Sequence, residues 1–115
     1  MEDNAARIAH DVTSWEGVAA RPHRFGGTVF VLGGRELGHL HGSRWADIRF
    51  HRGVGEMLVE TGRAQPHHVL PETGWVSHQI RNDEDVAEVI ELFSLAYERA
   101  CVAENVADGN AGEAV

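Results

Sequence analysis

The sequence predicts an α+β domain: a mainly antiparallel sheet with helices packed on one face, in the order α-β-β-β-β-α-β-β-α. Three observations predict it. Apolar residues recur at helical spacing near both ends, at Ala5, Ile8, Ala9, Val12 and Trp15 and again from Val86 to Cys101. Between them lie short runs rich in β-branched and aromatic residues. Glycine-containing turns such as Gly33-Gly34 and Gly42-Ser43-Arg44 separate those runs.

Each element has its own signal. The first helix is expected over about residues 4–15, with Gly17 ending it. Val18 to Phe25 reads as a strand, and Pro22 sends it to a sheet edge, where a missing N–H is tolerated. After Gly26-Gly27, Thr28-Val29-Phe30-Val31-Leu32 is the most apolar strand, and a strand carrying Glu36, His39 and His41 follows the next turn. Trp45 to Phe50 forms the fourth strand. Its Ala46, Ile48 and Phe50 are expected in the core, and its Trp45, Asp47 and Arg49 on an accessible face. Val54, Met57, Leu58 and Thr61 make a short helix stopped by Gly62. His67 to Leu70 and Trp75 to Ile80 read as strands, joined by the turn Pro71-Glu72-Thr73-Gly74. Asn82 with Asp85 has the form of an N-cap followed by an acidic residue, opening the last helix. One domain over 1–104 and a disordered acidic tail over 105–115 are expected.

Composition bounds the function. With 115 residues, 43% hydrophobic and 24% charged, the chain can bury one core without staples. Its single cysteine, Cys101, excludes an intramolecular disulfide and fits a reducing cytoplasm. No long apolar run follows Met1, so neither a secretory signal nor a membrane span is expected. All ten basic residues are arginine. Lysine-free, acid-rich chains resemble haloarchaeal proteins, and a GC-rich genome gives the same bias. Eight of the arginines and seven of the eight histidines fall in residues 21–81, between acidic flanks. That pattern favours a small anionic ligand and disfavours a nucleic-acid footprint.

The chemistry-bearing stretch is Glu36-Leu37-Gly38-His39-Leu40-His41-Gly42, followed by Trp45-Ala46-Asp47. Alternate residues of a strand share a face, so His39 and His41 project together, with Cα atoms roughly 6–7 Å apart. Asp47 reaches the same neighbourhood if the next strand folds back. Gly26-Gly27 and Gly38 fit bulges or close packing better than a phosphate cradle, because no helix starts after them.

Several separated motifs carry a family resemblance. They are Arg24-Phe25-Gly26-Gly27, Glu36-x-Gly38-His39-x-His41-Gly42, Asp47-Ile48, Ala64-x-Pro66-His67-His68 and Gly74-Trp75-Val76. In this order, over about residues 15–100, they resemble the luciferase-domain family. The last helix, with Ser94 and Tyr97, and the strand pattern are similar to the YjbR-like double-wing family and its frataxin-like arrangement. The fungal luciferase of the first family oxidises a hydroxylated pyrone with O₂ without a bound organic cofactor. The resemblance implies a shared scaffold and pocket. It does not imply light emission.

Three chemistries fit the matched residues. In the first, His39 or His41 is a general base on an acidic enol or phenol, Glu36 or Asp47 orients the imidazole, and Arg24 holds the enolate. No cofactor is then needed. In the second, His39, His41 and one of His67, His68 or Asp47 bind a divalent metal at ~2.0–2.2 Å. In the third, the surface only binds an anionic metabolite, a protein or, through the double-wing likeness, DNA. Trp45 and Trp75 suit stacking on an aromatic ligand but equally suit packing. Arg24 and Arg49 could instead pair with Glu36 and Asp47 across strands. His67 and His68 point to opposite faces, so at most one joins the cluster.

Overall fold

A computed structural model describes residues 3–23, 26–67 and 73–107. The expected element order is the observed one: α1 (Asn4–Val12), β1 (Val18–Pro22), β2 (Thr28–Leu32), β3 (Arg35–His41), β4 (Trp45–Ile48), α2 (Arg52–Glu60), β5 (Gln65–Pro66), β6 (Val76–Gln79) and α3 (Asp83–Ala107). The six strands form one antiparallel sheet in the order β1-β2-β3-β4-β6-β5. Pro22 lies on an outer strand, as its missing N–H requires.

The boundaries that differ from expectation have local causes. Helix α1 stops at Val12, because the Thr13 and Ser14 hydroxyls take the carbonyls of Ala9 and Asp11 at 2.6 and 2.5 Å. Trp15 packs on the core from beyond the helix, with its ring 5.4 Å from that of Tyr97. Among the described residues the fifth strand is the pair Gln65–Pro66, just ahead of the run expected from His67. Pro66 is accommodated there because β5 is the outermost strand. The remainder of the expected strand, residues 68–70, lies outside the described residues, as does 108–115 of the expected tail. Helix α3 opens as its sequence predicts, with the Asp85 N–H donating to Asn82 Oδ1 at 2.9 Å and Asp85 accepting from the Arg81 N–H.

One face of the sheet is the core. Phe30, Leu40, Ala46 and Ile48 are fully buried there, and α3 lies across it against β3, β4 and β6, with α1 on α3. Phe30 meets Phe93 of α3 edge to face at 5.2 Å. Leu58 of α2 belongs to the same cluster. None of the described helices is long and apolar enough to cross a membrane.

One irregularity in β3 decides what the other face carries. Phe30 pairs with Gly38, but Val31 pairs with Glu36, so Leu37 is an extra residue in the strand. Plain alternation would put Glu36 and His39 on opposite faces. The bulge sends Leu37 into the core, 2% exposed, and turns Glu36 to the side of His39. Beside it, Gly38 is required by close approach. A Cβ there would collide with the Asp47 carbonyl oxygen and sit 2.9 Å from Phe93 Cε1.

Gly38→Ala is therefore expected to lower stability by about 1–3 kcal/mol in urea unfolding. Gly34→Ala, whose Cβ meets nothing within 4 Å, should leave the midpoint close to that of the unaltered chain.

Candidate functional site

The register builds the site. His39 pairs with Val29 on one side and Asp47 on the other, and Asp47 pairs with Ser77. One row across three strands thus carries an imidazole, a carboxylate and a hydroxyl away from the helices. His41 pairs with Trp45 in the next row on that face.

Asp47 is the centre. The sequence suggested an accessible residue, yet it is 1% exposed, because the side chains around it close over the carboxylate. Its Oδ1 accepts from Ser77 Oγ at 2.5 Å and from Trp45 Nε1 at 3.1 Å. Its Oδ2 faces three imidazoles: His41 Nε2 at 2.8 Å, His39 Nε2 at 3.2 Å and His67 Nε2 at 3.6 Å. Burial raises the cost of the charge, but hydrogen bonds from His39, Ser77 and His41, with the field of His67, outweigh it and hold the carboxyl well below the usual range. It is ionised at any pH near neutrality.

His39 is held by carboxylates at both ends. Its Nδ1 lies 2.8 Å from Glu36 Oε2, and its Nε2 meets Asp47. Two ionised acceptors require two N–H donors, so the ring is an imidazolium. Burial opposes the charge, but the bonds to Asp47 and Glu36 prevail and lift its pKa from 6.5 to about 9. His41 differs. Its Nε2 donates to the ionised Asp47, among the described residues no carboxylate meets its Nδ1, and its side chain is 40% exposed against 14% for His39.

The expected residues largely converge. His39, His41, Asp47 and Glu36 are joined by hydrogen bonds. His67 and Trp75 border them, with the Trp75 ring 5.6 Å from His39 and 5.9 Å from His67. Arg24 and His68 lie outside the described residues. Arg49 makes no cross-strand pair with Asp47; the carboxylate's partners are the groups above. Sequence reasoning missed two contributors. Ser77 could be found only by knowing that β6 pairs with β4. His23 follows β1, and its ring stacks 4.8 Å from His39 and 5.8 Å from His41. Its backbone N–H donates to Gly27, whose main chain presses on that of Leu40, so a glycine is what brings His23 close. His39, His41 and Asp47 offer three ligand atoms within 4.8 Å of one another, a set that could hold a metal ion.

A family model described as Luciferase domain matches residues 34–96, more than half of the chain, and spans β3 to α3 with every residue of the Glu36–His39–His41–Asp47 network. The chain belongs to the luciferase-domain family. No curated protein and no solved structure matches it.

For this luciferase-domain protein the charge network sets a pH dependence of stability. The pKa of His39 is higher folded than unfolded, so its contribution is complete below pH 6.5 and is lost as the pH rises through about 9. Asp47 acts in the opposite sense, contributing above its ordinary 3.8 and losing that contribution as the pH falls. Between pH 6 and 10 the unaltered chain should lose stability relative to His39→Gln by on the order of 3 kcal/mol. Denaturant melts of both proteins at each pH measure this difference.

Proposed function

We propose that the polar face of the sheet binds a small anionic or aromatic molecule and moves a proton on it. His41 is the base, Asp47 its orienting partner and His39 the fixed cation beside the anion that forms. The observation that carries this reading is the sharing of Asp47 Oδ2 by two imidazoles, one met by carboxylates at both ring nitrogens and the other at Nε2. His39, locked as imidazolium by Glu36 and Asp47, cannot accept a proton. His41, more exposed and donating through Nε2, keeps Nδ1 for one. An acidic enol or phenol suits the pair: His41 takes its proton, and the enolate rests against the positive ring. Trp75 offers a face for an aromatic substrate, and Arg24 and His68, next in sequence to His23 and His67, complete the proposed binding set. An electron-rich enolate can react with O₂ without a cofactor, the oxygenase-type chemistry that the fungal luciferase performs.

A second reading rests on the grouping of ligand atoms from His39, His41 and Asp47, with His67 Nε2 facing the same oxygen. A divalent metal would have to displace the His39 proton, so its affinity would rise steeply with pH.

The two readings separate in one set of measurements. Protein purified without a histidine tag is analysed for metal, then incubated with hydroxylated pyrones and phenols in D₂O while ring H/D exchange and O₂ uptake are followed. The proton-transfer reading expects exchange without stoichiometric metal, with His41→Gln about 10²-fold or more slower while a cooperative melting curve shows it folded. Full activity in His41→Gln would overturn it. One bound metal per chain, lost in His41→Ala, would put the second reading in its place.

A further inference from the structure

We propose that the cleft formed by the start of β3, the end of β4 and the C-terminal half of α3 is a binding site for a small organic phosphate. The proposal does not depend on the reading of the histidine cluster. The cleft holds about 340 Å³, the size of a small-ligand site. Its floor is apolar, made by Leu37, Phe50, Ala96 and Ala100, each at most 7% exposed. Its rim carries four guanidinium groups, Arg35, Arg49, Arg52 and Arg99.

That convergence is not explained by folding. The chain has eighteen acidic side chains and a net charge of −8, yet four of its ten arginines meet here. Arg52 pairs with Glu56 at 3.1 Å, but among the described residues Arg35, Arg49 and Arg99 enter no ion pair. Glu36, the single carboxylate among the described residues lining the cleft, is engaged by His39. Four like charges around one concavity repel one another, and a bound anion removes that cost.

Helix α2 adds an independent sign. It begins at the rim with Arg52 in its first turn, no acidic residue there, and an N-cap, His51, whose side chain makes no capping bond. A cation at a helix N-terminus opposes the helix dipole, and an anion between the two reverses the sign of that interaction.

The chemistry of the rim selects the ligand. Planar guanidinium forks recognise phosphate oxygens two at a time, and several of them suit a dianion better than a single carboxylate. The apolar floor takes the organic part of the molecule. A nucleic acid strand does not suit: four arginines around one small cleft, in a chain of net charge −8, make no extended basic track.

The test is titration of the full chain with phenyl phosphate, followed by calorimetry and by the Nε–H signals of ¹⁵N-labelled arginine. Phenol, inorganic phosphate and sodium chloride at matched ionic strength serve as comparisons. Phenyl phosphate should bind more tightly than any of these and shift arginine signals that Arg49→Gln with Arg99→Gln removes. The double variant should weaken binding about tenfold or more, and Arg44→Gln, on a different surface, should leave it unchanged. Arg35→Gln, checked by its melting curve, gives the same reading should the double variant not fold. Equal shifts with sodium chloride, equal affinity for inorganic phosphate, or undiminished binding by folded cleft variants would each overturn the proposal.

Discussion

A carboxylate removed from water must be met by donors on every side, and Asp47 shows how much of this sheet follows from that requirement. Its two oxygens collect a hydroxyl from β6, an indole from its own strand and two imidazoles from β3. Removing a partner from a buried charge costs about 3–5 kcal/mol, far more than such a pair contributes at the surface. The network therefore fixes the register of β3, β4 and β6 as firmly as the apolar packing on the opposite face. Both faces of β4 are committed, one to Phe93 and its neighbours and one to the histidines.

The network also sorts chemically identical side chains. Four histidine rings crowd one surface, and their roles diverge through what the carboxylates leave available. Glu36 and Asp47 saturate His39 and make it a standing positive charge. Among the described residues His41 meets a carboxylate at Nε2 alone. Environment, not residue type, separates the doubly held ring from its neighbour, and a distance of a few ångströms is enough.

Much of the architecture was legible in the sequence because local signals agreed. Helical spacing at Val86, Val89, Phe93 and Ala96, the glycine turns and the proline of β1 each point to the element that forms. The pairing of His39 with His41 follows from the two-residue repeat of a strand, and Asp47 from the hairpin that returns beside it. What escaped was non-local. The burial of Asp47 depends on Ser77, thirty positions away in sequence, and on a strand order in which β6 precedes β5. The closeness of His23 depends on Gly27 lying against Leu40. The grouping of Arg35, Arg49, Arg52 and Arg99 combines two strand ends with two helices, a juxtaposition that charge counts along the chain do not contain.

The extra residue at Leu37 has a consequence for both faces of β3. It acts as a phase shift in the strand, and everything N-terminal to it is read with the opposite parity. Were Leu37 paired in regular register instead, inside and outside would be exchanged upstream of it, burying an acid and exposing a leucine. The offset lets Leu37 and Gly38, neighbours in sequence, both face the helices while Glu36 and His39 share the opposite side.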